Sequence, residues 1–269
     1  MTVLSSEASA RLPALRGRIL RMIHDAQAGH PGGSLSVIDL LAVIMLDKGR
    51  FTGDPDLRDW LVLAKGHAVP ALYAMLVELG DLDESELASY RHLGSRLQGH
   101  PDRRKTPGVQ VSTGHLGQGL SVALGIAMGE RRRDSGLHVW AVAGEGDLHE
   151  GQSWEALMAA AHHGIGDLTV VVDANGLTQH GPVGRIMGLE PLAAKLESFG
   201  WATVEADGHD PIAFGAALDE VRADPRPGAV VARTVKGHGV SFMENVREWH
   251  SRGLDDDELR RALDEIGEG

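Results

Sequence analysis

Two kinds of apolar pattern alternate along the chain. Short runs rich in β-branched residues predict strands, and longer stretches with apolar residues three and four positions apart predict helices. The predicted strands are 60–64, 138–143, 168–173, 202–206 and 229–235. The predicted helices are 34–46 (capped by Ser34), 70–79, 119–132, 151–163, 189–199, 211–222 and 255–266. This alternation indicates an α/β fold with a doubly wound, mainly parallel sheet and helices on both faces.

The predicted strands end in polar groups. In a doubly wound sheet, ligands bind at the carboxyl ends of the strands. Four such ends carry groups suited to a phosphate or a metal ion: Lys65-Gly66-His67, Gly144-Glu145-Gly146-Asp147, Asp173-Ala174-Asn175 and Lys236-Gly237-His238. We therefore expect one ligand site at this edge of the sheet.

The composition narrows the class of protein. The 269 residues are 42% apolar and carry a formal net charge of −12, which argues against nucleic acid as the main partner. The absence of cysteine excludes disulfides and thiolate metal sites, and favours a cytoplasmic protein. The apolar stretch 37–46 contains Asp39 and is too short to span a bilayer, and the N-terminal stretch lacks the apolar region of a secretory signal. We expect no membrane association and, since no linker interrupts the pattern, a single domain over residues 1–269.

Histidine and glycine occur together unusually often. Six of the 14 histidines directly follow glycine: His30, His67, His100, His115, His209 and His238. Each one alone is more readily explained by a solvated loop, but together they favour a ligand site. The polar, glycine-rich segment 93–119 is too long for an ordinary connection, and loops of this kind are usually functional or disordered.

A carboxylate and a carboxamide next to glycines suggest a metal site. Glu145 lies between two glycines, and Asn175 follows it by thirty positions, at the end of the next predicted strand. Carboxylate and amide oxygens suit Mg²⁺, which commonly keeps phosphate oxygens in its coordination shell. A glycine-rich turn with an acidic residue at a helix start is an equally good interpretation of this pair alone.

Seven stretches in a fixed order extend this pattern over nearly the whole chain. They are GHPGGSLS (29–36), LAKGHAVPALYA (63–74), LQGHP (97–101), TPGVQVSTGHLGQGLS (106–121), GEGDLHEGQSWEA (144–156), VDANGLTQHG (172–181) and TVKGHGVSFMENVREWH (234–250). The sequence thereby resembles the thiamine diphosphate enzymes and, more narrowly, the transketolases. The chain resembles only the diphosphate-binding domain, as in the N-terminal subunit of split, two-gene transketolases.

This resemblance implies a function and a partner. It implies transfer of a two-carbon ketol unit from a ketose (phosphate) to an aldose (phosphate), with thiamine diphosphate and Mg²⁺, or another divalent cation such as Ca²⁺ or Mn²⁺. The pyrimidine-binding and C-terminal domains would lie on a separate C-terminal subunit, most simply in an α2β2 assembly. Two alternatives are a related subunit that acts on an unusual sugar in a specialised pathway, and a non-catalytic subunit that only holds the cofactor.

The resemblance also implies roles for individual residues. The metal ligands would be Glu145, the Asn175 side chain and the Leu177 carbonyl. The cofactor-binding residues would be His67, Gly114, Leu116, Gly146, Asn175, Gln179, Lys236 and His250, with Lys65 a less direct candidate. The catalytic residues would be His30, His100, His250 and Glu150, and Glu150 and Glu155 would link paired sites. Proton transfer during carbon–carbon cleavage needs groups that titrate near neutrality, as an unperturbed histidine does.

Several positions depart from the transketolase pattern. The family has Gly-Asp-Gly followed by Glu, whereas this chain has Gly-Glu-Gly-Asp, so the two acids are interchanged. His115, His180 and Ser251 also replace the usual residues. By spacing, Glu145 and not Asp147 takes the metal position. These departures are the reason for keeping the specialised-sugar alternative.

Overall fold

Five parallel strands form one sheet in this computed structural model, which describes residues 7–269. The strands are β1 (Trp60–Leu63), β2 (Val139–Gly144), β3 (Leu168–Ala174), β4 (Ala202–Asp207) and β5 (Gly228–Arg233). Their order across the sheet is β1-β2-β3-β5-β4, and every pairing is parallel. At the carboxyl edge Gly144 pairs with Asp173, so the loops after β2 and β3 leave the sheet side by side.

Helices cover both faces of this sheet. They are α1 (Glu7–Ala26), α2 (Pro31–Ala42, continued as a π-helix to Lys48), α3 (Val69–Glu78), α4 (Gly119–Arg133), α5 (Gly151–His162), α6 (Val183–Ile186), α7 (Leu192–Ser198), α8 (Pro211–Arg222) and α9 (Asp256–Ile266). None of the helices within residues 7–269 is long and apolar enough to cross a membrane.

Two separate cores explain why both faces are covered. Trp140 and Val142 of β2 belong to the core formed with α1, α2, α3 and α8. The alternate residues Val139, Ala141 and Ala143 belong to the core formed with α4, α5 and α7. Because successive side chains of a strand point to opposite faces, a strand buried on both faces is a continuous apolar run. The predicted α/β, doubly wound fold is confirmed.

Two details of the helix predictions are wrong. The second helix begins at Pro31 with His30 at its N-cap, and Ser34 lies in the first turn, where its hydroxyl donates to the His30 carbonyl (2.8 Å). Proline at the first helical position has no N–H to satisfy and a fixed φ suited to the helix, so it starts the helix before Ser34. Helix α7 covers Leu192–Ser198 instead of 189–199.

The long loop 93–119 is ordered by the edge strand that it covers. The Gln110 side chain accepts a hydrogen bond from the Leu61 N–H (2.8 Å), and the Thr113 hydroxyl donates to the Leu63 carbonyl (2.7 Å). These contacts satisfy backbone groups of β1 on the side where none of the strands within residues 7–269 pairs with it. The loop is thereby carried to the carboxyl edge of the sheet.

The last helix, α9, packs against the first helix, α1. Asp255 and Glu258 form a capping box at the start of α9, and Ala262 is buried in the core shared with α1. Arg21 of α1 donates to the Glu268 carbonyl (3.0 Å). The C-terminal end of the described chain therefore lies against the second half of α1.

Candidate functional site

A cleft of about 370 Å³ opens at the carboxyl ends of the strands. Every metal, cofactor-binding or catalytic residue implied by the resemblance lines it: His30, His67, His100, Gly114, Leu116, Glu145, Gly146, Glu150, Asn175, Leu177, Gln179, Lys236 and His250. The structure thus brings the predicted set together, and their roles stay predictions. Glu155, on the exposed side of α5, does not line the cleft.

A second cavity of about 390 Å³ lies beside α3 and the segment 107–111. Its lining is largely apolar, and its two charged residues, Arg58 and Asp81, pair with each other (2.6 Å). The cleft at the strand ends, by contrast, gathers titratable and amide groups from several loops. Because reactive sites combine a concave surface with convergent polar groups, that cleft is the candidate site.

Three histidines form the wall of the cleft. The ring centroids of His30 and His67 lie 5.2 Å apart, those of His30 and His250 5.5 Å, and those of His67 and His250 5.4 Å. Burial, with nearby positive charges, lowers the pKa of His30 to about 4 and that of His250 to about 3. The pKa of His67 is also well below its ordinary value, mainly because of burial.

These rings are therefore neutral at pH 7. The expectation that the cleft histidines titrate near neutrality is wrong for His30, His67 and His250, because their burial disfavours the charged form. The buried Nδ1 of His30 has no hydrogen-bond partner within the described chain. A buried polar atom left without a partner is unusual in a folded protein and marks a position that a ligand can satisfy.

Lys236 supplies the positive charge at the base of the cleft. Its ammonium donates to the Leu177 carbonyl (3.2 Å) and to Nδ1 of His250 (2.9 Å). Burial, together with the charge of Lys65, lowers the pKa of Lys236 to about 8. The group remains mostly protonated at pH 7 and can attract an anion.

The two interchanged acids point to different places. The Glu145 carboxylate faces the cleft and accepts from the Gly176 N–H (2.6 Å), and burial raises its pKa to about 6. Asp147 is buried outside the cleft lining and accepts from the N–H groups of Gly144 (2.9 Å) and Gly117 (3.3 Å). Asp147 therefore ties the loop after β2 to the loop before α4, and only Glu145 is free to meet a ligand in the cleft.

A tight turn after β3 presents oxygen atoms to the same space. Asn175 accepts from the Leu177 N–H through its side-chain oxygen (3.1 Å), and Gly176 has a φ of +75°. Asparagine and glycine suit this turn because the first bonds to its own backbone and the second tolerates a positive φ. The Asn175 side chain and the Leu177 carbonyl therefore stand next to Glu145.

The mouth of the cleft is more open. His100 is exposed there, beside Gly114, whose φ is +148°. A Cβ added at Gly114 would lie 3.1 Å from the His100 ring, so a side chain at this position would push the ring away. Leu116, Glu150 and Gln179 are also exposed at the rim.

Sequence reasoning missed four residues of the lining: Gly33, His149, Thr178 and Ile186. His149 immediately precedes Glu150 and pairs with the Met187 carbonyl (2.9 Å). Thr178 lies between two residues that the sequence did single out, Leu177 and Gln179. Adjacency to predicted site residues was the available signal for these two, whereas nothing in the sequence marked Ile186.

Lys65 also lines the cleft, but its ammonium is engaged in a buried ion pair. Its ammonium contacts the Asp173 carboxylate, and the side chains are 2% and 0% exposed. Burial acts to raise the pKa of Asp173, but the Lys65 charge and hydrogen bonds hold it below its ordinary value. The pair fixes the end of β3, two positions before Asn175, so Lys65 supports the wall of the cleft that it lines.

Replacing Lys65 with methionine is expected to destabilise the protein by about 3–5 kcal/mol, because Asp173 is left charged and buried. Lys48→Met is a matched control, since Lys48 pairs with the 61% exposed Asp219, and a surface pair contributes at most about 1 kcal/mol. Urea unfolding of both variants checks the difference. Equal losses in the free energy of unfolding would contradict it.

Comparisons with known proteins identify the family. The thiamine diphosphate-binding domain of transketolase matches residues 9–268. An apulose-4-phosphate transketolase subunit from Actinobacillus succinogenes is 35% identical over 266 residues, which cover 97% of this chain and 96% of that protein. A 6-deoxy-6-sulfo-D-fructose transketolase subunit from a Clostridium species is 34% identical, over 94% of this chain and 93% of that protein.

Solved structures support the same family assignment. A transketolase from Pichia stipitis superimposes with a TM-score of 0.92 and 31% identity, over 98% of this chain and 41% of that chain. The chain thus spans about two fifths of the length of that transketolase. The matched domain, the full-length relatives and the fold together confirm the resemblance inferred from the seven motifs. The chain belongs to the transketolase family, and it corresponds to the thiamine diphosphate-binding, N-terminal part of that family.

Proposed function

We propose that this chain is the N-terminal subunit of a thiamine diphosphate- and Mg²⁺-dependent transketolase. It would transfer a two-carbon ketol unit from a ketose or its phosphate to an aldose or its phosphate. The observation that carries the proposal is the convergence in one cleft of the Lys236 ammonium, the oxygen atoms around Glu145 and a wall of neutral histidines. Each group suits a different part of the reaction.

The donor set fits a divalent cation with a diphosphate. Glu145, the Asn175 side chain and the Leu177 carbonyl offer only oxygen ligands, which Mg²⁺, Ca²⁺ and Mn²⁺ prefer. The Lys236 ammonium donates to the Leu177 carbonyl. The charge of Lys236 therefore lies where it would neutralise a diphosphate beside the metal. Gly146 would add its backbone N–H to the same anion.

The remaining cleft residues fit the rest of the cofactor. His67 and His250 flank Lys236 and would border the thiazolium ring, while Gly114 and Leu116 would line the aminopyrimidine, with Gln179 at the rim. When bound, thiamine diphosphate supplies the carbanion chemistry that ketol transfer needs. The chain's own task is to orient it and to exclude water.

The histidines would transfer protons to and from the hydroxyl groups of the sugar. A neutral imidazole presents one acceptor and one donor nitrogen, and can therefore take or give a proton at a ketose hydroxyl. The unpartnered Nδ1 of His30 and the exposed ring of His100 are the groups available for this task. His250 accepts from Lys236 through Nδ1, which leaves its Nε2 proton to donate towards substrate.

A separate protein chain would complete the site. Relatives that match nearly their whole length are named as subunits, which supports a partner chain for this protein too. Leu116 and Ile186 line the cleft although they are 44% and 48% exposed, which suits a partner that covers its mouth. Met158 on α5 is 49% exposed and suits contact between two copies in an α2β2 assembly, with Glu150 and Glu155 between paired sites. A cytoplasmic location stays a prediction from composition.

A specialised sugar is the second candidate for the substrate. Two relatives that align over most of their length are named for apulose-4-phosphate and 6-deoxy-6-sulfo-D-fructose. His180, one of the departures from the family pattern, lines the cleft. Assaying the reconstituted enzyme against phosphorylated and sulfonated ketoses separates this candidate from a pentose-phosphate transketolase.

Reconstitution tests the proposal. The purified chain is expected to lack ketol transfer, and to gain it when mixed with the product of a neighbouring gene that encodes the pyrimidine-binding and C-terminal domains, thiamine diphosphate and Mg²⁺. Turnover by the isolated chain, with contaminating transketolase excluded by mass spectrometry, would contradict the need for a partner. A complex that binds the cofactor but converts no sugar would favour the non-catalytic alternative.

A further inference from the structure

A second cluster of titratable side chains lies behind the cleft. Asp39 of α2, His209 after β4 and His238 after β5 bring potential ligand atoms within 4.8 Å of one another, as a metal site would. Asp39, however, accepts from Arg16 (2.5 Å) through one oxygen and pairs with Nδ1 of His209 (2.5 Å) through the other. The arginine supplies the positive charge that a metal would bring, so the cluster serves another purpose.

Both ring nitrogens of His209 are engaged. Nε2 accepts from the backbone N–H of Val235 (2.7 Å), so the ring proton lies on Nδ1, facing Asp39. His238 stacks on the ring with centroids 3.6 Å apart, and its own Nδ1 lies 3.3 Å from Glu244. The imidazole is thus fixed in orientation and tautomer by its surroundings.

The backbone that His209 holds leads directly to the cleft. Val235 precedes Lys236, whose ammonium reaches the Leu177 carbonyl and His250. On the other side of Lys236, the N–H of Gly237 donates to the Gly32 carbonyl (2.9 Å), at the start of α2. The loop is therefore fixed on both sides of Lys236, and on one side the acceptor is a side chain.

We propose that His209, oriented by Asp39, is a positioning residue that fixes the Thr234–Val235 peptide and so holds the ammonium of the neighbouring Lys236 in place for an anion of the diphosphate class. Side chains that orient a ligand-binding group from behind commonly affect binding strongly without touching the ligand. The proposal rests on the proposed function only for the nature of the anion.

Two substitutions of His209 separate positioning from packing. Asparagine places its amide where Nδ1 lies and keeps the bond to Asp39, but it is too short to reach Val235. Glutamine is long enough to offer its oxygen to the Val235 N–H, but it loses the aromatic ring and the Nδ1 donor. His24→Asn is a matched control, because His24 also pairs with a carboxylate (Asp256, 2.9 Å) and lies outside the cleft.

The readouts are the hydrogen exchange of the Val235 amide, in chain labelled with [¹⁵N]valine, and the affinity for inorganic pyrophosphate with Mg²⁺, by calorimetry. In His209→Asn we expect about tenfold faster exchange and about tenfold weaker pyrophosphate binding, because the amide loses its acceptor. In His209→Gln, both the exchange rate and the pyrophosphate affinity are expected to stay within about threefold of those of the original chain. In His24→Asn, both are expected to be unchanged. Unchanged exchange and affinity in His209→Asn would overturn the proposal.

Asp39→Asn provides a test that does not depend on a change at His209. Arg16 requires the amide oxygen on its side, so the amide NH₂ turns towards Nδ1 of His209 and drives the ring proton to Nε2. That proton then opposes the Val235 N–H, as a misplaced tautomer does when an aspartate behind a histidine becomes asparagine. The ¹⁵N shifts of the His209 ring are expected to report an Nδ1–H tautomer in the original chain and an Nε2–H tautomer in the variant.

An Nε2–H tautomer in the original chain would refute the positioning role whatever the ligand is. A chain that binds no pyrophosphate, yet has the expected tautomers and Val235 exchange, would contradict the proposed function and support the positioning network.

Discussion

Replacing Glu145 with alanine is expected to weaken metal-dependent binding of thiamine diphosphate greatly, whereas replacing Asp147 with alanine is expected to weaken it only modestly. Glu145 is the acid whose carboxylate lines the cleft, next to Asn175 and Leu177. Its loss removes the only anionic group from the proposed set of metal ligands, and Mg²⁺ depends on such a group. Titration of thiamine diphosphate at fixed Mg²⁺ against the reconstituted variants measures both effects.

Asp147→Ala should lower stability instead. Its carboxylate accepts from two backbone N–H groups, and leaving them without a partner costs about 1–3 kcal/mol each when buried. Asp147→Asn keeps one acceptor oxygen and serves as the milder control. Glu145→Asp restores the usual residue of the family and is expected to retain binding. If Asp147→Ala abolishes binding while Glu145→Ala keeps it, the assignment of the metal ligand is wrong.

Replacing His100 or His250 with alanine is expected to lower kcat/KM by about 10²-fold or more, the usual scale for a positioned acid–base group. The cofactor affinity should separate the two variants. His250 bonds to Lys236 at the base of the cleft, whereas His100 is exposed at its mouth. We therefore expect a larger loss of thiamine diphosphate affinity for His250→Ala than for His100→Ala.

Steady-state kinetics and cofactor titration of the reconstituted enzyme check this pair. His24→Ala, outside the cleft, is the control for a general effect of losing a histidine. Near-wild-type kinetics for both cleft variants would refute the assigned roles. Equal losses of cofactor affinity would contradict only the placement of His250 nearer to the diphosphate.

The sequence predicted the sheet well because its strands are buried on both faces and end in distinctive polar groups. It left the first helix, α1 (Glu7–Ala26), without a prediction, although Leu12, Leu15 and Ile19 recur at helical spacing and are buried. Pro13 lies within that helix, where it removes one backbone donor and interrupts the expected pattern. Tertiary packing against α2 and α3 outweighs that local penalty.

The composition of the cleft could be predicted from the sequence, but its electrostatics could not. Parallel strands share a carboxyl edge, so residues that follow several strands had to meet there. The lowered pKa values arise because His30, His67 and His250 bury one another, which no local pattern reveals. The pairing of Asp39 with His209 is likewise invisible in the sequence, since the two are separated by 170 positions.

The contact between His30 and His250 has a consequence for how the protein is made. The two rings lie 5.5 Å apart, although one belongs to the first part of the chain and the other to the last. Synthesis must therefore have passed residue 250 before the cleft exists, and a cofactor cannot guide the earlier steps of folding. A ligand stabilises only the state that binds it. Thiamine diphosphate would therefore stabilise the folded protein, whereas incomplete chains would gain no such protection against the cell's proteases.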